Sequence, residues 1–173
     1  MSLHIIIDGY NLIRQSNSLS SLDRQDMQLG RETLVDMLAA YKKMKAHRIT
    51  VVFDGGGAPL HSQQRDRQKG ISIIFSHNGE TADAVIKKMA RRERQKALVV
   101  SSDLEIVQSA ASSGAATISA DEFERKLAMS IYMNDMEAEG DGNGGWKPTT
   151  KKRGPRRRLP KRQRTNRAKI RKL

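Results

Sequence analysis

The chain has 173 residues, no cysteine, and 32 Lys and Arg against 19 Asp and Glu, a formal net charge of +13. That length suits one domain with an extension, and the missing thiols exclude disulfides and thiolate zinc sites. No apolar run approaches the ~20 residues needed to span a bilayer, and the N-terminus reads as a strand rather than a leader, so the expectation is a soluble cytoplasmic protein.

The first element is Leu3-His4-Ile5-Ile6-Ile7-Asp8-Gly9-Tyr10-Asn11, a β-branched run that stops at a carboxylate and a glycine. It reads as a buried strand that delivers an acid to a sheet edge. Residues 11–17 form a short loop or helical turn, and 16–21 a polar connector. From about Leu22 to His47, Leu34, Leu38 and Tyr41, with Met37 and Met44, recur at three and four residues and predict one helix. Ile49–Phe53 is a second strand, ending in Asp54-Gly55, and a Gly-rich, then basic, loop follows over 55–70. Ile71–Phe75 is a third strand. Residues 80–95 form a helix with Ala82, Val85, Ile86 and Met89 on one face. A fourth strand over 97–101 leads into Ser102-Asp103, and 103–113 is helical. A short strand over 115–118 and a helix from about 120 to 134 close the domain. The alternation predicts a three-layer α/β/α sandwich with a mostly parallel sheet of about five strands. Residues 1–136 form this domain, 137–146 a flexible Gly-rich linker, and 147–173 a basic tail.

Charge is divided unevenly along that plan. Residues 147–173 hold 14 Lys and Arg and no acid, so the rest of the chain carries 18 bases and all 19 acids, a net −1. The tail clusters Lys151-Lys152-Arg153, Arg156-Arg157-Arg158 and Lys161-Arg162 are separated by Pro155 and Pro160. An acid-free block of this kind is expected to stay disordered until it meets a polyanion.

Three strands that each stop at an aspartate bring Asp8, Asp54 and Asp103 to one rim. Parallel strands point the same way, and ligands of open α/β sheets bind outside their carboxyl ends. Glu80 and Asp83 add two acids where a helix begins. Each has a plainer explanation: acids in a first turn complement the helix dipole, and Asp-Gly after a strand is ordinary turn chemistry. Together they point to a hard cation, Mg²⁺ or Mn²⁺, because clustered carboxylates repel one another without one. Paired divalent ions suit phosphodiester hydrolysis, activating a water and stabilising charge on the leaving oxygen. Asn11, able to donate and accept, suits orienting a water or steadying Asp8, and Ser102 suits the same task beside Asp103 or capping the next helix.

Other chemistries fit less well. His4, His47, His61 and His77 lack ligand-like spacing, and Gly55-Gly56-Gly57 lacks the pattern of a phosphate loop. Haloacid-type phosphatases need a second aspartate where Tyr10 stands, and no lysine placed as in receiver domains follows the later strands.

Four segments in order, Ile6-Ile7-Asp8-Gly9-Tyr10-Asn11-Leu12, Val51-Val52-Phe53-Asp54-Gly55, Glu80-Thr81-Ala82-Asp83 and Ser101-Ser102-Asp103, resemble the YacP-like branch of the NYN domains, relatives of the PIN ribonucleases. The resemblance spans about residues 3–133. It implies a PIN-like sheet and a metal-dependent endoribonuclease acting on RNA, in at least one branch messenger RNA at the ribosome. It further implies that Asp8, Asp83 and Asp103 hold the metal and that Asn11 supports them. Asp54 is a further member of the set, and Glu80 a ligand, an outer group or a helix-capping acid. The alternative is a noncatalytic RNA- or ribosome-binding module that retains the fold. Arg65, Arg67 and Lys69 either line an RNA path or are simply solvated. The tail bases Lys152, Arg153, Arg156, Arg157, Arg158, Lys161 and Arg162 are expected to contact RNA or ribosome phosphates. Trp146 either stacks on a base or packs on the domain.

Overall fold

The computed structural model describes residues 2–55, 64–77, 79–139 and 160–173. Its centre is a strand of three consecutive isoleucines, β1 (His4–Asp8), which pairs in parallel with β2 (Arg48–Phe53) on one side and β5 (Ala97–Val100) on the other. β4 (Ile71–Phe75) extends the sheet beyond β2, and β6 (Ala116–Ile118) extends it beyond β5, both in parallel. β3 (Gln64–Gln68) lies antiparallel on β4 and completes the order β3-β4-β2-β1-β5-β6.

The α/β sandwich and its mostly parallel sheet are therefore as the alternation predicts, with one strand more. β3 is Gln-Arg-Asp-Arg-Gln, exposed along its whole length, so no apolar period announces it. It pairs antiparallel through its backbone, joined to β4 by the Lys69-Gly70 turn, where both residues have positive φ. The predicted loop over 55–70 thus contains a strand, while residues 56–63, including His61, lie outside the described residues.

Side chains alternate between the two faces of the sheet, as a strand's period of two requires. Ile5, Ile7, Val51, Phe53, Leu98 and Val100 face one layer, and Ile6, Val52, Ile74 and Val99 face the other. The first layer holds α1 (Gly9–Gln15), α3 (Met27–Met44) and α6 (Ala120–Glu139), with α2 (Asn17–Gln25) packed on α3. The second holds α4 (Ala82–Glu93) and α5 (Leu104–Ser112). The single helix predicted from Leu22 to His47 is broken at Asp26. That residue is extended (φ −153°, ψ 119°) and its carboxylate accepts the Gln28 N–H at 2.8 Å. Ser16 does the same for α2, its hydroxyl accepting the Leu19 N–H at 3.2 Å, so the predicted polar connector is a capped helix.

The basic tail departs further from expectation. Residues 161–170 form a helix, α7 (Lys161–Ile170), docked on the outer edge of β6. The Asn166 amide reproduces a strand partner there: Thr117 N–H donates to Asn166 Oδ1 at 2.8 Å, and Asn166 Nδ2 donates to Thr117 O at 3.1 Å. Ile170 and Leu173 continue that face into the first core layer, where the Tyr41 hydroxyl donates to Leu173 O at 3.1 Å. Seven bases on the thirteen residues 161–173 hide a stripe of three anchoring positions, Asn166, Ile170 and Leu173, spaced by four and three residues, which is why composition alone reads as unfolded. α6 likewise runs to Glu139, past the predicted start of the linker at 137. The remaining linker and Lys152, Arg153, Arg156, Arg157, Arg158 and Trp146 lie outside the described residues. No described helix is long and apolar enough to cross a membrane.

Asn166→Ala strips both partners from Thr117 at once. We expect a loss of roughly 1–3 kcal/mol in denaturant unfolding, with faster exchange of the Thr117 amide. Unchanged exchange at Thr117 would show that the clamp does not hold the edge.

Candidate active site

Asp8 ends β1 and caps α1, so its carboxylate is fixed from two sides. Oδ1 accepts the Asn11 N–H at 3.3 Å, and Oδ2 accepts the Ser101 hydroxyl at 3.3 Å. Ser101, fully buried just beyond β5, also accepts the Asp103 N–H at 3.1 Å. One hydroxyl therefore links Asp8 to the backbone of Asp103. Asp103 caps α5, its Oδ1 accepting the N–H groups of Glu105 and Ile106 at 2.8 and 3.2 Å. Asp54, just past β2, is held in the same manner: the buried Ser76 hydroxyl donates to its Oδ1 at 3.2 Å and accepts the Gly55 N–H at 3.0 Å. Asp83 stands in the first turn of α4, whose cap is Thr81.

These acids share one electrostatic field. Burial raises the Asp8 carboxyl above its ordinary range, and the charges of Asp83 and Asp103 add to that, against the bonds from Asn11 and Ser101. Asp83 is raised as well, by burial first and then by Asp103, with Glu105 and Asp54 contributing and Lys87 opposing. The chain order explains the gathering. Strands β2 and β4 lie to one side of β1 and β5 and β6 to the other, so the connections diverge at the β1/β5 boundary. Asp8 and Asp103 stand at that boundary, which is where open α/β sheets bind ligands.

Among the described residues, no three His, Cys, Asp or Glu side chains stand close enough to enclose an ion by themselves. The donors are nevertheless all carboxylate oxygens, and two of them are kept above their ordinary range partly by like charge. An oxygen-only set of this kind could hold a hard, partly hydrated dication, and does not suit a closed four-ligand site.

The supporting residues divide more sharply than the sequence suggests. Asn11 does not steady Asp8 through its side chain, since it is its backbone N–H that Asp8 accepts; its side-chain oxygen instead accepts the Ser102 N–H at 2.9 Å, tying α1 to the loop after β5. Ser102 turns to Gln15, at 3.0 Å, and to the Ala120 N–H, at 3.1 Å. Glu80 is nearly buried, with Oε2 2.9 Å from His77 Nδ1 and Oε1 paired with Lys88 Nζ. That engagement places it at the head of α4 as an anchor. Lys69 pairs with Asp36 of α3. Arg65 and Arg67 alternate along β3, and Arg65 lines a groove of about 330 Å³ against α4 together with Arg48, Lys88 and Arg92. Sequence reasoning missed Ser76 and Ser101. The signal available was position: each is a small hydroxyl directly after a buried strand and next to a turn that carries, or faces, a candidate aspartate. Also missed was the cluster flanking the rim, where Tyr10 packs edge-on to Phe53 at 5.0 Å and Phe53 stacks on Phe75 at 5.6 Å.

Known proteins share this architecture. A single-site variant of Rae1 (YacP) from Bacillus subtilis superposes with a TM-score of 0.67 at 25% identity, over 80% of this chain and 82% of that one. Another crystal structure of Rae1 (YacP) from Bacillus subtilis gives 0.65 at 25% identity, over 80% of each chain. In sequence, the uncharacterized protein YacP of Bacillus subtilis (strain 168) is 31% identical over 88 residues, 50% of this chain and 51% of that protein. The aligned stretch thus spans about half the length of that curated relative. The family profile of the YacP-like NYN domain matches residues 5–172, so that α7 falls inside it, and the chain belongs to this family of PIN-like, nuclease-type domains.

Proposed function

We propose that the protein is a metal-dependent endoribonuclease whose site is the rim formed by Asp8, Asp83 and Asp103. The observation that carries the reading is the placement of Asp8 and Asp103 at the β1/β5 boundary, joined through the Ser101 hydroxyl and with the charge of Asp83 acting on Asp8, inside a nuclease-type domain. Mg²⁺ or Mn²⁺ would be held by these carboxylates, with Asp54 at the margin. When bound, such an ion supplies an activated water and neutralises charge on the phosphate. The chain's own groups do the positioning. Ser101 fixes Asp8 relative to Asp103, Asn11 fixes the loop between them, and Ser76 aims Asp54. The basic groove of Arg48, Arg65, Lys88 and Arg92 offers a path for the RNA backbone beside α4. Whether the RNA is met at the ribosome is read by cosedimentation at low salt.

Cleavage of a circular single-stranded RNA is the direct test. A carboxylate rim recognises no chain end, so Mn²⁺ or Mg²⁺ should open the circle and EDTA should prevent it. Cleavage that persists in EDTA overturns the metal mechanism, and a circle left intact while linear RNA shortens makes the enzyme an exonuclease. The open spacing of the acids favours a second reading, an RNA-binding module without catalysis. RNA binding with no cleavage under any divalent ion is the outcome that selects it.

A further inference from the structure

We propose that the flank of α7 facing α5 and β6 is a second binding site for the phosphate backbone of RNA, separate from the carboxylate rim. The proposal rests on the reading of the protein as one that acts on RNA, and adds where a second stretch of the strand is held.

A groove of about 900 Å³ runs between α7, the edge strand β6 and the end of α5. Arg162, Thr165 and Lys169 line its α7 wall, spaced by three and four residues and therefore on one stripe of the helix. Arg162 and Lys169, two of the four bases that line the groove, sit about 10 Å apart along the axis, with a hydroxyl between them. The facing wall is small and neutral, with Ser112, Gly114 and Gln95, and no Asp or Glu is among the lining residues. None of the ion pairs among the described residues involves a base of α7.

Lys169 points to an anion more specifically. Its Nζ is shielded from solvent and has no hydrogen-bond partner among the described residues. Burial pushes this ammonium below its usual range, and the neighbouring charge of Lys172 pushes the same way. A shielded cation without an acceptor is costly, and an oxyanion in the groove supplies what is missing. The Asn166 clamp and the buried Leu173 hold α7 in place before any ligand arrives, so its cations need no ordering on binding.

The groove is not a continuation of the rim. α5 starts at the rim, capped by Asp103, and ends in the groove at Ser112, roughly 14 Å away by helix rise. An RNA occupying both sites must therefore be several nucleotides long.

The test measures binding without cleavage, in the full-length Asp103→Asn protein with EDTA, using a 30-nucleotide single-stranded RNA. Arg162→Gln with Lys169→Gln should weaken binding about tenfold and make the log-affinity against log-salt slope shallower by about 1.4, the value for two lost single-strand contacts. A control pair, Lys43→Gln with Arg91→Gln, removes the same charge from surfaces outside the groove and should leave the slope nearly unchanged. Thermal unfolding should stay level or rise, because the variant no longer shields an unpaired ammonium. Should Lys169→Gln unsettle the helix, Arg162→Gln alone, at an exposed first-turn position, should give half the slope change. Equal losses in the two pairs, or wild-type affinity and slope in a folded groove variant, overturn the site. A wild-type protein that binds RNA through the groove yet never cuts it sinks the nuclease reading and leaves this one standing.

Discussion

Asp8→Asn, Asp83→Asn and Asp103→Asn should each lower RNA cleavage by roughly 100-fold or more while the protein stays folded. Each change removes one negative charge from a set that must hold a dication, and no other described group at the rim replaces it. The fold should survive because asparagine caps a helix as well as aspartate does, and Asp8 and Asp103 are the caps of α1 and α5. Stability gives a second readout with a definite sign. Asp8 and Asp83 lie above their ordinary carboxyl range in the folded state, so the fold binds more protons than the unfolded chain does. Their contribution is favourable at low pH and is lost as pH rises from the unfolded value of ~3.9 through the raised folded one. In EDTA, Asp83→Asn should therefore melt above the wild type at neutral pH, and the difference should close as pH falls below that window. Adding Mn²⁺ should raise the wild-type melting temperature by mass action and leave the variants nearly unmoved. An Asp103→Asn protein that cuts at the wild-type rate places the chemistry elsewhere, and an unchanged melting difference across the pH window removes the shared field.

The strands that carry these acids were legible because each is a short apolar run that stops at a polar residue, and burial on both faces enforces that pattern. β3 was not legible because an edge strand facing solvent needs no apolar residue, only a partner's unpaired backbone. α7 was hidden for the opposite reason. The three anchoring positions of residues 161–173 sit among seven bases, and the side-chain bonds to the sheet come from an asparagine, a residue that carries no weight in a hydrophobic period. At the rim, residue types and order revealed the acids, whereas Ser101 and Ser76 became visible only once β5 and β4 were placed. Glu80 shows the limit from the other side. The sequence leaves it a ligand, an outer group or a helix-capping acid, and only the structure shows that its oxygens face His77 and Lys88.

Gly9→Ala should be among the most damaging single-methyl additions in the domain, costing roughly 1–3 kcal/mol and most of the activity. In sequence, Asp8-Gly9 reads as ordinary turn chemistry after a strand, but Gly9 is not among the positive-φ residues and is instead the first residue of α1. What it supplies is space. A Cβ here would lie 2.6 Å from Cδ1 and 2.9 Å from Cζ of the Phe53 ring, and closer still to Cε1. Phe53 is 1% exposed, stacked on Phe75 and met edge-on by Tyr10, so the ring has nowhere to retreat. The strain must then fall on the start of α1, which carries Asp8 as its cap and Asn11 one turn on. Both the Asp8 carboxylate and the Asn11–Ser102 tie would shift, and a small misplacement of a positioning group is enough to cost much of the rate. The double variant Gly9→Ala with Phe53→Leu separates this account from a backbone one. A smaller, branched side chain makes room for the methyl, so it should recover stability and cleavage relative to Gly9→Ala, although Phe53→Leu alone is destabilising. If the double variant is only as stable as the two losses added together, the ring is not the obstacle, and the glycine is required for a reason other than the close approach of Phe53.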